Sequence, residues 1–504
     1  MKKQKRERPV LLAVLCSVCM FIGFTAFFSA IWYIRIYGNV GFDSILYTFF
    51  SQVSGVQSTL VYEYLLWGLL PSLLATAATA FFLFFVPKKE KYIKRKNGKE
   101  VKVYPFSRRV SKIISLVLAV TLFTVASVTS KLTDFIYFCV QNTGIFVTEY
   151  VSPDEVDIKF PENKRNLIYI YLESMETTYM SAEHGGAKDF EVMPELYGLA
   201  RDNISFSNTD KIGGFHVVSG ANWTAASMVA QTAGIPLKPP AILAKDQYGK
   251  DLFLPGVTTI TDILEDEDYY QVLMVGSDAS FANRDRYYNQ HGIDKIYDVY
   301  TAKEDGIIGK DYWTWWGMED NRLYEYAKRE LPKIAQGEEP FVFNMLTVDT
   351  HHIDGYLCSQ CDRTAEEQYD NVLSCASRQL YDFITWLSTQ DFYENTTIVV
   401  CGDHLSMNNE YFLRTVPEDF DRRVYNCIIN SAISTENTKN RQFTAMDMFP
   451  TTLAAMGCEI EGERLGLGTN LFSEKKTLAE EMGLDVFEKE MIKSSKYYVT
   501  DFMF

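Results

Sequence analysis

Three apolar runs of the chain end in residues that can bind a metal ion. The runs are NLIYIYL, FVFNMLTV and TIVVC, and the residues that follow them are Glu173, Asp349, His351, His352, Asp403 and His404. Histidine is scarce in this chain, with only six in 504 residues, so three of them after two such runs is a marked concentration. Carboxylate oxygens and imidazole nitrogens bind divalent cations. One such group alone fits an ordinary turn after a strand, but three together predict a metal site.

The ligand types also favour particular metals. Glu173, Asp403 and His404 would offer one nitrogen among mostly oxygen ligands, which suits manganese or magnesium better than zinc. We therefore expect Mn2+ as the cofactor, with Mg2+ and Zn2+ as alternatives.

A candidate nucleophile lies in the segment SGANWTAASMVAQTAGIPL, residues 219–237. Apolar residues at helical spacing follow Thr224, and Gly234 and Pro236 end the pattern, so Thr224 is expected near a helix N-terminus. The N–H groups and the dipole at that end of a helix favour negative charge. Two interpretations stay open: Thr224 caps the helix, or a metal ion and the helix end stabilise its alkoxide for attack on phosphorus.

These residues need a scaffold that brings distant segments together. Short apolar runs typical of buried strands cover residues 166–172, 270–275, 341–348 and 397–401, and helical patterns cover 225–231, 321–334, 369–387 and 446–456. Strands that alternate with helices predict an α/β domain with a mainly parallel central sheet. Ligands gather at the carboxyl ends of the strands in such sheets, which is where the metal-binding residues would lie.

Three apolar segments precede this domain, at residues 10–34, 64–86 and 113–140. Each is long enough to cross a bilayer, which takes about 20 residues. Lys131 and Asp134 interrupt the third, so its C-terminal part is the weakest candidate for a membrane span. The first follows a basic stretch like that of a signal peptide but shows no cleavage pattern, and it is interpreted as a retained anchor.

Loop charges predict the orientation of these spans. Residues 88–112 carry eleven Lys and Arg, whereas residues 37–61 carry none. Basic loops stay in the cytoplasm, so the N-terminus and residues 88–112 are expected there. An odd number of spans then places the C-terminal domain outside, as part of a multi-pass protein of the cell membrane.

The overall composition limits the partners of the chain. Residues 1–160 hold 19 Lys and Arg against 10 Asp and Glu, and the remaining residues hold 30 against 55. A basic N-terminal part suits an anionic membrane surface, while the acidic remainder argues against a nucleic-acid partner. Cys358 and Cys361 form a C-x-x-C in a polar loop and, with Cys375 as a further partner, are a disulfide candidate in an exported domain. A zinc site is the weaker alternative because no second C-x-x-C lies in the predicted exported domain.

Five motifs, in the same order along the chain, resemble those of one known family. They are NLIYIYLESMETTY (166–179), GGFHVVSGANWTAASMVAQTAGIPL (213–237), GSDASFANRDRYYNQHGI (276–293), TVDTHHIDGYLC (347–358) and CGDHLSM (401–407). Over about residues 160–470 the chain resembles the lipoteichoic acid synthase and phosphoglycerol transferase branch of the alkaline phosphatase and sulfatase superfamily, and most of all the phosphoglycerol transferases of membrane-derived oligosaccharides. The resemblance implies an alkaline-phosphatase-like sandwich behind an N-terminal membrane module.

The resemblance also implies roles for the residues of the metal site. Glu173, Thr224, Asp403 and His404 would surround the metal, and Thr224 would carry a glycerophosphoryl intermediate. His351 would contact the phosphoglycerol group or transfer a proton.

A second group of residues is implied in substrate binding. Asp278 and Arg284 match positions that bind the headgroup in related enzymes, with Arg284 as a candidate for a bidentate phosphate contact. Asn222, beside the nucleophile, is interpreted as part of the phosphate pocket. The chain departs from the lipoteichoic acid synthases around GSDASFANR, where it has Gly276 and Ala282 in place of their histidine and tryptophan.

The implied activity is transfer of glycerophosphate from phosphatidylglycerol, through a phospho-threonine, to a hydroxyl of an envelope glycan, a glycolipid or a polyglycerolphosphate chain. There are two enzymatic alternatives: a phosphoethanolamine transferase, which shares the threonine nucleophile, and a phosphodiesterase or phosphatase, which uses water as the acceptor. The sequence contains no C-x-P-x-R motif of the kind that sulfatases convert to formylglycine. A catalytically silent envelope scaffold is the alternative from another class.

The sequence predicts four parts. They are a transmembrane anchor with about three helices (1–150), a linker (151–165), an extracytoplasmic sulfatase-like catalytic domain (166–475) and a C-terminal extension (476–504). The acceptor, the type of cell envelope, the metal used in the cell, the oligomeric state and the bonding of Cys358 and Cys361 stay open.

Overall fold

The computed structural model describes residues 7–37, 58–85, 91–94, 100–103, 108–238 and 252–503. These residues divide into an N-terminal unit that ends at Phe135 and a second unit that begins at Ile136. The predicted loops between the spans lie largely outside these ranges. Residues 38–57 are not described, and of residues 86–107 only 91–94 and 100–103 are.

Long apolar helices build the N-terminal unit. They cover Glu7–Tyr37, Ser58–Tyr64, Leu70–Ala80 and Arg108–Thr129, with π-helical turns at Leu65–Leu69 and Phe81–Phe85. Three stretches are long and apolar enough to cross a membrane: Ala13–Ile36, Val61–Phe84 and Val110–Thr129. The unit also contains an antiparallel hairpin of β1 (Lys91–Lys94) and β2 (Glu100–Val103). The structure therefore agrees with the prediction of three apolar helices.

The third apolar helix is shorter than the sequence predicts. It ends at Thr129, Lys131 has a φ of 52°, and a separate helix covers Leu132–Val140. A residue in the left-handed region cannot continue a right-handed helix, so Lys131 separates the two segments. In the same unit, a Cβ on Gly23 would lie 2.9 Å from Cα of Ala119, which shows that the first and third helices approach closely at small residues.

A six-stranded sheet forms the centre of the second unit. The strands of this unit, in chain order, are β3 (Ile158–Lys159), β4 (Asn166–Leu172), β5 (Tyr270–Val275), β6 (Lys295–Tyr297), β7 (Phe341–Leu346), β8 (Thr396–Gly402), β9 (Asn426–Ile429), β10 (Glu459–Ile460), β11 (Arg464–Leu465) and β12 (Gly468–Thr469). The central sheet has the order β6-β5-β7-β4-β8-β9, and only β8 and β9 run antiparallel. The expected α/β fold with a mainly parallel sheet is confirmed.

Helices cover both faces of this sheet. Those of the second unit are Ile145–Thr148, Pro194–Asp202, Thr224–Ala233, Ile260–Asp266, Arg284–Gln290, Val299–Glu304, Asp320–Ile334, Gln368–Leu387, Asn409–Thr415, Met448–Ala455, Leu478–Met482 and Leu484–Ile492. Side chains of β4 alternate between two apolar cores: Tyr169 and Tyr171 belong to one, and Ile168 and Ile170 to the other. This alternation is that of a strand buried on both faces, so the sheet is the middle layer of a sandwich.

The strand register brings three chain segments to one edge of the sheet. Strand β4 lies between β7 and β8, with Leu172 opposite Gly402 and Tyr171 opposite Leu346. The residues that directly follow these strands therefore emerge side by side at the carboxyl edge.

Segments on both sides of the predicted catalytic domain also belong to the second unit. Strand β3, in the predicted linker, pairs with β10. Phe146 packs against Tyr498 and Phe502, with ring centroids 5.7 Å apart in both pairs, and all three are buried. The apolar residues near positions 146 and 500 thus complete one core with the sheet domain.

Candidate active site

Glu173, Asp403 and His404 lie together at the carboxyl edge of the central sheet. Nε2 of His404 is 3.5 Å from Oε1 of Glu173 and 3.4 Å from Oδ2 of Asp403. One ligand atom of each residue lies within 4.8 Å of the other two, and all three side chains are buried. The structure therefore brings these three predicted metal ligands into one cluster.

The cluster has the acceptors and the charge that suit a cation. Oδ2 of Asp403 is buried and accepts no hydrogen bond from any residue that the structure describes. Burial and the negative charge of Glu173 raise the pKa of Asp403 to about 7. The carboxylates of Glu173 and Asp403, with oxygens within 4.8 Å of each other, repel when both are charged. A divalent cation between them would offset that repulsion. The residues present fit a bound divalent metal.

Hydrogen bonding fixes the orientation of the His404 ring. Nδ1 lies 2.8 Å from the carbonyl oxygen of Leu405, so Nδ1 carries the proton and donates it. The other nitrogen, Nε2, faces Glu173 and Asp403 and would be the acceptor towards a bound cation. A ring held in this way by a backbone carbonyl is typical of metal-binding histidines.

Thr224 is the first residue of the helix Thr224–Ala233, and Trp223 is the N-cap. Its Oγ1 is 3.2 Å from Oε2 of Glu173 and 3.3 Å from Nε2 of His404. The hydroxyl therefore points at the cluster and does not cap the helix. The positive end of the helix dipole lies beside it, which favours negative charge on Oγ1. This geometry does not fit the cap interpretation, and the role of Thr224 as nucleophile stays a prediction.

His351 lies in the loop after β7 and is held between aromatic and polar neighbours. Its Nδ1 is 2.8 Å from the carbonyl oxygen of His352, and its ring centroid is 4.6 Å from that of Trp316. Burial lowers the pKa of His351, and the charge of Glu173 opposes this effect. The imidazole is therefore neutral near pH 7, with Nε2 as its acceptor nitrogen.

Arg284 and Asp278 hold the loop that follows β5. The buried Arg284 donates from Nε to the carbonyl of Phe281 at 3.0 Å, and from Nη2 to Oγ of Ser277 and the carbonyl of Asp278, both at 2.8 Å. Oδ1 of Asp278 accepts hydrogen bonds from N and Oγ of Ser280. Nε and Nη2 of the guanidinium group are thus engaged within the loop. Contacts of either residue with a substrate stay predictions.

Asn222 places a buried acceptor next to the candidate nucleophile. Its Oδ1 accepts no hydrogen bond within the described part of the chain. A buried amide oxygen without a donor is unfavourable, so a donor from a ligand would be accommodated there. The pocket role of Asn222 stays a prediction.

Three of the six histidines are bound to other parts of the fold. His184 pairs with Glu191 and His291 pairs with Asp262, at 2.7 and 2.8 Å. His216 forms a hydrogen bond with Gln442. These contacts give them structural roles.

Sequence reasoning missed the hydroxyl groups that hold Glu173. Ser174 donates from Oγ to Oε1 of Glu173 and from its N–H to Oδ1 of Asp403, both at 2.7 Å. Oγ1 of Thr347 accepts from the N–H of Glu173 at 3.0 Å, and Oγ1 of Thr350 donates to its carbonyl at 2.5 Å. The only signal in the sequence was that each hydroxyl lies within the same motifs as a predicted ligand.

Comparisons with known proteins agree with this fold and site. The sequence model of the Sulfatase family matches residues 165–458, more than half of the chain. Phosphoglycerol transferase I of Xanthomonas axonopodis pv. citri (strain 306) is 31% identical over 276 residues, which are 52% of this chain and 36% of the relative. Phosphoglycerol transferase I of Escherichia coli O127:H6 is 28% identical over 355 residues, 69% of this chain and 43% of the relative. The chain therefore spans about two fifths of the length of these relatives.

One solved structure has a similar fold over most of the chain. It is the integral membrane lipooligosaccharide phosphoethanolamine transferase A from Neisseria meningitidis, with a TM-score of 0.51 and 13% identity. The match covers 89% of this chain and 84% of that one, and at this identity it shows the fold alone. Taken with the family match, the alkaline-phosphatase-like fold expected from the sequence is confirmed, and the chain belongs to the sulfatase family.

Proposed function

We propose that the chain is a membrane-anchored phosphoglycerol transferase that uses Thr224 as its nucleophile. The observation that carries this proposal is the position of Oγ1, 3.2 Å from Glu173 and 3.3 Å from His404 at the first turn of a buried helix. The similarity to two enzymes named phosphoglycerol transferase I supports glycerophosphate as the group that is transferred.

The proposed reaction has two steps. In the first, Oγ1 of Thr224 bonds to the phosphorus of phosphatidylglycerol, the bond from phosphorus to the diacylglycerol oxygen breaks, and diacylglycerol leaves with a proton. In the second, an acceptor hydroxyl bonds to phosphorus, the bond to Oγ1 breaks, and Thr224 regains a proton. His351 is the candidate for moving these protons, because its neutral ring presents Nε2 as an acceptor.

The metal would be held by Glu173, Asp403 and His404, with Thr224 as a further ligand. We propose Mn2+, because oxygen ligands outnumber nitrogen, and Mg2+ or Zn2+ as alternatives. When bound, the metal would supply positive charge that stabilises the Thr224 alkoxide and the phosphoryl oxygens. Ser174 would keep the Glu173 carboxylate in place, and Thr347 and Thr350 would hold its backbone.

Residues near the cluster are proposed to make the remaining contacts with the substrate. Asn222 offers an acceptor beside Thr224, and the loop held by Arg284 and Asp278 is a candidate for the headgroup side. The three apolar helices fit a lipid donor, with the catalytic domain outside the cytoplasm. The acceptor would be an envelope glycan, a glycolipid or a polyglycerolphosphate chain, and the acidic domain makes nucleic acid an unsuitable partner.

A phosphoethanolamine transferase is the second candidate function. The Neisseria meningitidis enzyme shares its fold with 89% of the chain, so the fold alone does not separate the two candidates. A phosphoethanolamine transferase would use the same nucleophile and metal ligands, so only the transferred group separates the two proposals.

Intact mass spectrometry of the full-length chain in detergent tests the proposal. Incubation with phosphatidylglycerol and Mn2+ should add the mass of glycerophosphate to the wild type, and chelation of the metal or Thr224→Ala should abolish the adduct. Thr224→Ser is the matched variant that keeps a hydroxyl, and it should retain a weaker adduct. An adduct from phosphatidylethanolamine alone would replace the first candidate by the second. No adduct from either lipid would reject both and favour a silent scaffold.

A further inference from the structure

Three cysteines form a second cluster of potential metal ligands. Cys358 and Cys361 lie in the loop that follows His351 and His352, and Cys375 lies in the helix Gln368–Leu387. Sγ of Cys358 is 3.6 Å from that of Cys361 and 3.8 Å from that of Cys375, and all three sulfurs lie within 4.8 Å of one another. A disulfide bond measures about 2.05 Å, so the three thiols are unbonded.

The spacing of the sulfurs matches a thiolate site for a metal ion. Zinc binds thiolate sulfur at about 2.3 Å with tetrahedral geometry, which places neighbouring sulfurs about 3.8 Å apart. The two measured distances agree with this value. Cys358 and Cys375 are buried and Cys361 is half-buried, so the open side of the cluster is at Cys361.

Hydrogen bonds favour negative charge on these sulfurs. The backbone N–H of Gln360 lies 3.4 Å from Sγ of Cys358. Nε2 of Gln379 lies 3.1 Å from Sγ of Cys375 and 3.5 Å from Sγ of Cys358. Thiolates are stronger acceptors than thiols, so this set of donors suits the deprotonated form.

The orientation of the Gln379 amide gives a second, independent indication that the cysteine sulfurs are deprotonated. Its nitrogen faces the sulfurs, while its Oε1 is buried and has no hydrogen-bond partner among the described residues. Leaving a buried oxygen unpaired costs about 1–3 kcal/mol. That loss is offset only if the nitrogen donates to strong acceptors, which thiolates are. Several thiolates in a mostly buried site then need a cation to balance their charge.

We propose that Cys358, Cys361 and Cys375 bind a Zn2+ ion, with solvent as the fourth ligand on the open side at Cys361. Binding replaces the three thiol protons, which are released to solvent. The ion would tie the loop that carries His351 to the helix Gln368–Leu387. This site uses none of the residues of the candidate active site, so it does not depend on the proposed function.

Cobalt substitution tests the proposal on the full-length chain, purified in detergent without chelator. Co2+ bound by cysteine gives a sulfur-to-cobalt charge-transfer band, whereas Glu173, Asp403 and His404 contain no sulfur and cannot produce it. We expect this band in the wild type and in Cys139→Ser, a control cysteine outside the cluster. Cys361→Ser should not show the band. As purified, it should also contain about one zinc ion per chain fewer than the wild type. Loss in both variants, or copper in place of zinc, would overturn the assignment.

Alkylation of the wild type keeps the test independent of how the variants fold. Intact mass after alkylation should show three additional reactive thiols only once the metal is removed by a chelator. A wild-type mass lower by two hydrogens, with no cobalt band, would mean that two of the cysteines form a disulfide. Three reactive thiols before chelation would also contradict a bound ion.

Discussion

At the residue scale, Ser174 joins the two carboxylates of the candidate metal site. Its Oγ donates to Glu173 and its N–H donates to Asp403, both at 2.7 Å. Ser174 has a φ of 52°, in the left-handed region that is unfavourable for residues other than glycine. The two hydrogen bonds compensate for that conformation and fix both ligands at once.

Ser174→Ala should therefore weaken metal binding without removing a ligand. The variant loses the hydroxyl but keeps the N–H bond to Asp403, and loss of such a supporting partner lowers metal affinity about 10–100-fold. Calorimetric titration of the full-length chain with Mn2+ measures the change. Ser205→Ala is the matched control, because Ser205 is also buried and its Oγ donates only to the carbonyl of Asn426. Equal affinities in wild type and Ser174→Ala would contradict the supporting role.

His216 should make the stability of the fold dependent on pH. Burial, reinforced by the charge of Arg423, lowers the pKa of His216 from 6.5 to about 4. Between these values the unfolded chain binds the proton and the folded chain does not, so stability falls as the pH decreases from 6.5 to 4. The contribution is at most about 3 kcal/mol.

Chemical denaturation between pH 4 and 7 checks this prediction. His216→Gln keeps a donor for Gln442 but cannot titrate, so its unfolding free energy should decrease less on acidification than that of the wild type. Parallel curves for the two proteins would show that His216 does not titrate as proposed.

At the element scale, the helix Thr224–Ala233 has to end where the chain turns towards β11. Gly234 adopts a φ of 63° at its C-cap, and a Cβ there would lie 2.8 Å from the carbonyl oxygen of Leu465. Glycine is required at this position by both the conformation and the space.

Gly234→Ala should therefore destabilise the fold in two ways, through the positive φ and through the clash of the new Cβ with the carbonyl oxygen of Leu465. We expect a loss of about 2 kcal/mol or more in unfolding free energy, about half of it from the positive φ. Gly306→Ala is the matched control, since Gly306 has a φ of 73° and nothing within 4 Å of its Cβ position. Thermal unfolding of the two variants separates the terms, and equal losses would contradict the contribution of the contact with Leu465.

The sequence was sufficient to predict the elements that carry the site. Strands β4, β5, β7 and β8 are continuous apolar runs because both of their faces are buried, and such runs stand out in any sequence. Strand β9 was not predicted, because its four residues give too short a pattern to distinguish from a loop. The segments near residues 146 and 500 were also missed as parts of the core, since their packing joins chain positions far apart.

The residues of the candidate metal site were predictable because they directly follow the predicted strands. The predicted metal ligands follow strands directly, so the topology of a parallel sheet is enough to bring Glu173, Asp403 and His404 together. The contacts of Ser174 and the approach of Trp316 to His351 depend on backbone angles and side-chain orientation. Neither is encoded in local sequence, so only the structure reveals them.

At the scale of the whole molecule, the chain combines apolar helices with an acidic folded unit. Residues 1–160 have a net charge of +9, and the remaining residues have −25. A lipid donor is confined to the membrane, so an anchored enzyme meets it at a higher effective concentration than a free one would. This arrangement is useful only if the domain lies on the side of the membrane where donor and acceptor meet.

We expect the second unit to lie outside the cytoplasm. Eleven Lys and Arg in residues 88–112, and none in residues 37–61, favour a cytoplasmic location of the basic segment, and three spans then export the domain. Two introduced cysteines test this orientation in intact cells, in a background where the four cysteines that are not buried, Cys16, Cys19, Cys139 and Cys361, are serine. Glu338→Cys, an exposed position of the domain, should react with a membrane-impermeant maleimide. Asn97→Cys should react only after permeabilisation, and the opposite pattern would place the domain in the cytoplasm, away from an envelope acceptor.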